Sequence, residues 1–117
     1  MNELKVFQNS EFGELGVLII DGKEFLPASQ CAKILGYTNP RDAIKRHCKS
    51  EGVVKHDGVS YTTNQHGVTS QQITEIKYIS EGNLYRLIIR SKLPSAEKFE
   101  RWVFDEVLLE LRKNGSY

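Results

Sequence analysis

The chain has 117 residues, 39% hydrophobic and 26% charged, which suits one compact domain and lies far from the composition of a disordered segment. A formal net charge of +1 excludes a uniformly charged chain, and no stretch approaches the roughly 18 apolar residues of a membrane span. Two cysteines, Cys31 and Cys48, make no disulfide framework, and both fall on apolar faces of predicted helices, as buried free thiols do.

The N-terminal third reads as strands. "LKVF" (Leu4 to Phe7) and "LGVLII" (Leu15 to Ile20) are short apolar runs, and Asp21-Gly22 then predicts a two-residue turn into "KEFL". Asp-Gly between apolar runs is a hairpin signal because both turn residues must tolerate positive φ. The same dipeptide recurs at Asp57-Gly58, between "VVKH" and "VSYTT", and predicts a second hairpin there. A polar loop, "NQHGVTSQ", follows, and then the strand "QITEIKYI".

Two short helices are expected between the hairpins. The first runs from Gln30 to Leu35, N-capped by Ser29 and stopped by Gly36, with Cys31, Ala32, Ile34 and Leu35 on one arc. The second begins at Asn39-Pro40, a cap followed by the residue best tolerated at the first helical position. At the helical period, Arg41, Asp42, Lys45, Arg46 and Lys49 fall on one side, and Ala43, Ile44, His47 and Cys48 on the other.

The C-terminal third is helical by pattern. "EGNLYRLIIRS" puts Leu84, Leu87 and Ile88 on one face and Asn83, Arg86 and Arg90 on another. The segment from Pro94 carries Phe99, Trp102, Val103, Val107 and Leu111 as an apolar stripe, with Gly115 as a stop and Leu108 and Leu109 as spare apolar surface for a possible homodimer. The fold class is α+β: short β-hairpins packed with a helix-turn-helix-like pair and two C-terminal helices, in one domain spanning 1–117.

Charge is unevenly spread. From Lys33 to Lys49 five cations stand against one acid, Asp42, so this window is +4 and the remainder is −3. Enzymatic chemistry finds no support: His47, His56 and His66 are scattered, adjacent His47 and Cys48 diverge by about 100° on a helix, and no metal-ligand spacing or phosphate loop occurs. No catalytic residue, metal or cofactor is expected. A short helix, a glycine-containing turn and a second helix with a basic face instead suit double-stranded DNA, with the Asp57-Gly58 hairpin as a wing.

These residues also resemble a known family. "AKILGYTNPRDAIKRHC", "EGNLYRLIIRSKLPSAEKFERWVFDEVL" and "RKNGSY", in that order, resemble the Bro-N domain, the N-terminal domain of baculovirus BRO proteins and of many phage and prophage antirepressors. The likeness looks closest to Firmicute phage antirepressors and runs from about Leu4 to Tyr117. It implies a DNA-binding module of a transcriptional regulator in the lysis–lysogeny decision, working in the cytoplasm of a bacterial host. A phage repressor protein, bound and disabled by the charged face, is the alternative partner. Longer members carry a second, C-terminal domain. Two departures stand out: Gln30 replaces a frequent acid, and Leu109 stands where members often have proline, so the last helix is expected to continue to about Lys113. The expected DNA-contacting residues are Arg41, Lys45, Arg46 and Lys49, with Lys33, Arg86 and Arg90 beside them. Arg41 is the candidate for a base edge, and Lys45 and Lys49 for phosphates.

Overall fold

The computed structural model describes residues 2–63 and 65–114; Gly115, the expected stop, lies outside the described residues. In chain order the elements are β1 (Asn2–Asn9), β2 (Gly13–Ile20), β3 (Lys23–Pro27), α1 (Ala28–Ile34), α2 (Pro40–His47), β4 (Val53–Thr63), β5 (Thr69–Ser80), α3 (Glu81–Ile89), α4 (Ala96–Arg101) and α5 (Leu108–Asn114). A 3-10 turn, Ser50–Gly52, precedes β4, and a π-helical stretch, Trp102–Val107, joins α4 to α5. The strands form one antiparallel sheet in the order β1-β2-β3-β5-β4, and the class is α+β as the sequence predicts.

The first hairpin turn is where the sequence puts it. Asp21 and Gly22 have φ of 50° and 80°, and Ile20 pairs with Lys23 across them. Strand alternation then sorts β2 into two faces. Leu15, Val17 and Ile19 join Leu26 and Ile79 beneath the helices, while Leu18 is buried on the other face, flanked by its register partners Leu4 and Phe25. Against the inner face pack Cys31 and Leu35 of α1, Ala43 and Ile44 of α2, Leu84, Leu87 and Ile88 of α3, and the C-terminal stripe.

The second Asp-Gly does not turn. Asp57 pairs with Glu75 and Gly58 with Thr74 inside a continuous register from Val53↔Ile79 to Thr63↔Thr69. A turn at 57–58 would have left only the four residues of "VVKH" to pair. Reversal after Thr63 pairs all eleven residues of β4 instead, and Gly67, at φ 79°, supplies the positive φ. Since β3 meets β5 only at Tyr78–Ser80, most of this hairpin extends past the sheet as a two-stranded arm.

Ser29 is not a cap. β3 pairs through Pro27, so the chain passes directly from sheet to helix; α1 starts at Ala28, Pro27 holds the capping position, and Ser29 lies exposed in the first turn. Gly36 ends this helix as predicted. Tyr37 N–H reaches the Ala32 carbonyl and Gly36 N–H the Lys33 carbonyl, both at 3.0 Å, with Gly36 at φ 88°.

Phe99, Trp102, Val103, Val107 and Leu111 are all buried, and the last helix continues to Asn114. The π turn has a packing reason. Trp102 and Val107, five apart, would stand about 140° apart on an α-helix; closure from i to i+5 brings both to the core. Phe12, held by an Asn9 side chain that accepts from Glu11 N–H (2.7 Å) and Phe12 N–H (3.0 Å), stacks on Trp102 at 5.9 Å. Leu108 is consumed by the same core, so of the expected spare surface only Leu109, 55% exposed, is left.

A Cβ at Gly36 would meet Leu93 Cδ1 at 2.5 Å in addition to the left-handed backbone. Gly36→Ala should therefore lower stability by about 1–3 kcal/mol. Urea unfolding checks this as a lower midpoint at unchanged slope.

Candidate nucleic-acid interface

Helix α2 is set by its first two residues. Asn39 Oδ1 accepts from Asp42 N–H at 3.2 Å, and Pro40 occupies the first turn. Ala43 and Ile44 are buried, His47 and Cys48 half-buried, and Arg41, Lys45 and Arg46 exposed. This is the division read from the helical period. Arg46 Nε lies 3.0 Å from Asp42 Oδ2, but its side chain is 71% exposed, and such i,i+4 pairs contribute only a few tenths of a kcal/mol. Among the described residues no ion pair holds Arg41, Lys45 or Lys49.

Lys49 lies beyond the helix and not on it, contrary to the expectation. The helix ends at His47, and Cys48 is extended (φ −96°, ψ 145°), so Lys49 is not one helical turn beyond Lys45. Its backbone is held by Asn83 instead. Lys49 N–H donates to Asn83 Oδ1 at 2.8 Å, and Asn83 Nδ2 donates back to the Lys49 carbonyl at 2.9 Å. Asn83 is fully buried, which corrects its expected place on a basic surface. Its own N–H is received by Ser80 Oγ, the N-cap of α3, at 3.3 Å. Gly52 leaves room for this clamp, since a Cβ there would lie 2.5 Å from both Asn83 Nδ2 and Ser80 Oγ.

Two arginines lie in and just after α3, which packs against α2. Arg86 is half-buried and commits Nη1 to Asn83 Oδ1 at 2.8 Å, which joins it to the Lys49 backbone through one amide oxygen. Arg90 is exposed at the end of α3. Burial raises the Tyr37 phenol above its ordinary pKa while the Arg90 charge opposes that rise, and the Tyr37 ring lies 5.8 Å from that of His47. Tyr37 also donates its hydroxyl to the Leu87 carbonyl at 2.7 Å, so it bridges α2 and α3. Thus Arg41, Lys45, Arg46 and Lys49, with Arg86 and Arg90, belong to one packed unit. Lys33 is exposed on the neighbouring helix, α1.

No other chemistry gathers here. Burial, with Cys48 beside it, pushes the Cys31 thiol far above the ordinary value, and burial raises Cys48 as well, so both are neutral thiols rather than nucleophiles. His47 faces Tyr37 while Cys48 Sγ approaches the Asn83 carbonyl at 4.0 Å. His56 lies in β4 with its ring edge-on to Tyr78, and not in a turn.

The family model for the BRO family, N-terminal domain, matches residues 14–109, which contain the whole of this unit. The chain belongs to the BRO family. A protein of Haemophilus influenzae is 43% identical to this Bro-N domain over 114 residues, covering 95% of the chain and 52% of the relative. Bro-N domain-containing protein 289L of Invertebrate iridescent virus 6 is 35% identical over 107 residues, 84% of the chain and 25% of the relative. Bro-N domain-containing protein L2 of Acanthamoeba polyphaga mimivirus is 26% identical over 120 residues, 99% of the chain and 49% of the relative. The chain therefore spans about half or less of these relatives' length. No solved structure matches it.

Asn83→Ala would strip the Lys49 amide, the Lys49 carbonyl and Arg86 of a shared partner. A loss of roughly 2–4 kcal/mol in chemical unfolding is expected from unmet buried polar groups. In hydrogen exchange, the amide of Lys49 should lose protection before those of β2.

Proposed function

We propose that this Bro-N domain binds double-stranded DNA through α2, as the N-terminal module of an antirepressor-type transcriptional regulator. The observation that carries this reading is the split of one short helix: Ala43 and Ile44 anchor it in the core, and Arg41, Lys45 and Arg46 stand clear of the protein. At 1.5 Å per residue an eight-residue helix is about 12 Å long, comparable to the width of the major groove.

Roles follow from side-chain chemistry. Arg41, in the first turn, has the planar fork that bridges guanine O6 and N7. Lys45 and Lys49 are point charges suited to phosphates. Arg46 exchanges Asp42 for a phosphate at small cost, because the pair is exposed. Arg86 keeps part of its guanidinium free while Asn83 fixes the rest, and Arg90 extends the cationic strip along α3. The resemblance of the helix pair to DNA-binding members of the family supports the same assignment.

If the four cations of the α2 segment engage, the logarithm of duplex affinity should fall with log salt at a slope of roughly −3 to −4 per protomer. Lys45→Ala with Lys49→Ala should flatten that slope by about two without selecting among sequences. Fluorescence anisotropy across a salt series reads both, and unchanged affinity in the double variant refutes the assignment. Asp42→Asn removes the acid that Arg46 has to leave and should tighten duplex binding at low salt by a few fold, with the slope set by the same four cations.

A second reading, capture of a repressor protein, is favoured by a cleft beside α3. It is lined by Glu81, Gly82, Tyr85, Glu100, Phe104 and Asp105, with Tyr85 half exposed and edge-on to Phe104 at 6.4 Å. Absence of duplex binding at low salt, together with co-purification of a co-expressed phage repressor, decides for that partner.

A further inference from the structure

The outer edge of β1 closes one end of the sheet, and of the devices that natural edges use against pairing it carries only a charged pair of opposite sign, Glu3 and Lys5. The strand is eight residues long, has no proline, and pairs with β2 without a bulge from Asn2↔Ile20 to Asn9↔Gly13. Its charges are Glu3 and Lys5, both exposed and 3.1 Å apart. Between and beside them Leu4 and Val6 stand 54% and 51% exposed on the opposite face.

We propose that β1 pairs antiparallel with β1 of a second copy across a two-fold axis through Leu4, joining the two five-stranded sheets edge to edge. The charges select this register. With Leu4 opposite Leu4 of the other copy, Glu3 of each copy faces Lys5 of its mate, giving two complementary pairs by symmetry. Moving the axis to the neighbouring residues sets Glu3 against Glu3 or Lys5 against Lys5, which is repulsive.

The opposite face agrees independently. Leu4, Leu18 and Phe25 are successive register partners across β1, β2 and β3, so each copy carries an apolar row that ends at the edge in an exposed leucine. In the proposed register the two rows meet at Leu4 and run on through both sheets. A shift of the axis to Glu3 would set Leu4 against Asn2 and break the row; a shift to Lys5 would keep apolar contact through Val6 and is excluded by the Lys5–Lys5 charge alone. The pairing uses none of the α2 cations, so its fate and that of DNA binding are separable.

Sedimentation equilibrium over a wide concentration series tests this directly. The wild-type chain should show a monomer–dimer equilibrium. Glu3→Lys makes both pairs Lys–Lys and Lys5→Glu makes both Glu–Glu, and each should weaken dimerisation about tenfold. Both positions are exposed, so loss of the Glu3–Lys5 pair should cost the monomer less than about 1 kcal/mol in thermal unfolding. An equimolar mixture of the two variants restores opposite charges at both pairs and should form a heterodimer of near wild-type affinity. A chain that stays monomeric, a Glu3→Lys variant that dimerises like wild type, or a mixture with no recovery overturns the proposal.

Discussion

A single buried side-chain amide decides where the cationic face of this Bro-N domain stands. Asn83 sits in the first turn of α3 with no exposure, yet its partners are the backbone of Lys49 and the guanidinium of Arg86. Burying an amide without partners costs several kcal/mol, so the geometry persists only while those bonds are made. Among the described residues no buried side-chain polar atom lacks a partner, and the clamp is part of that balance. It also ties three things that sequence keeps apart: the exit of α2, the entry to β4 and the start of α3. With Gly52 yielding the space and Ser80 receiving the Asn83 N–H, the chain leaves α2 in one direction only.

Local signals in the sequence are legible where one residue's own chemistry suffices. Asn39-Pro40 starts α2, Gly36 ends α1, Asp21-Gly22 makes a turn, and the proline-free end lets the last helix run on. Two equal dipeptides then had unequal fates. Asp21-Gly22 links strands whose remaining length is short on one side, whereas Asp57-Gly58 lies inside a register that a later glycine allows to double in length. Nothing at Asp57 or Gly58 encodes that difference, because it depends on residues up to twenty-two positions away. Asn83 was hidden for a related reason. By periodicity it shares a face with Arg86 and Arg90, and only the path of the α2–β4 link buries it. The pattern Ser80-x-x-Asn83 was the available hint, since it marks a capped helix start. The π turn is the third such case: the apolar stripe was visible, but not that Trp102 and Val107 must both reach the core.

The domain keeps its two kinds of surface on different layers. The inner face of the sheet is covered by helices, and the basic residues stand on the far side of those helices from the strands. The outer face and the β1 edge carry Leu4, Val6, Leu18 and Phe25, with Leu4 and Val6 exposed. A partner on the strand edge therefore leaves α2 unobstructed, and a polyanion on α2 leaves the edge free.

A nearly neutral net charge does not describe this division of the surface. Charges further apart than about 10 Å are largely screened at moderate salt, so the net charge of the whole chain says little to a duplex at one face. What acts is the local density, and α3, which carries Arg86 and leads into Arg90, packs against α2. The β4–β5 arm adds no such charge over most of its length: residues 58–74 contain no Asp, Glu, Lys or Arg. On the proposed reading, counterion release would come from the α2–α3 cations rather than from that uncharged stretch.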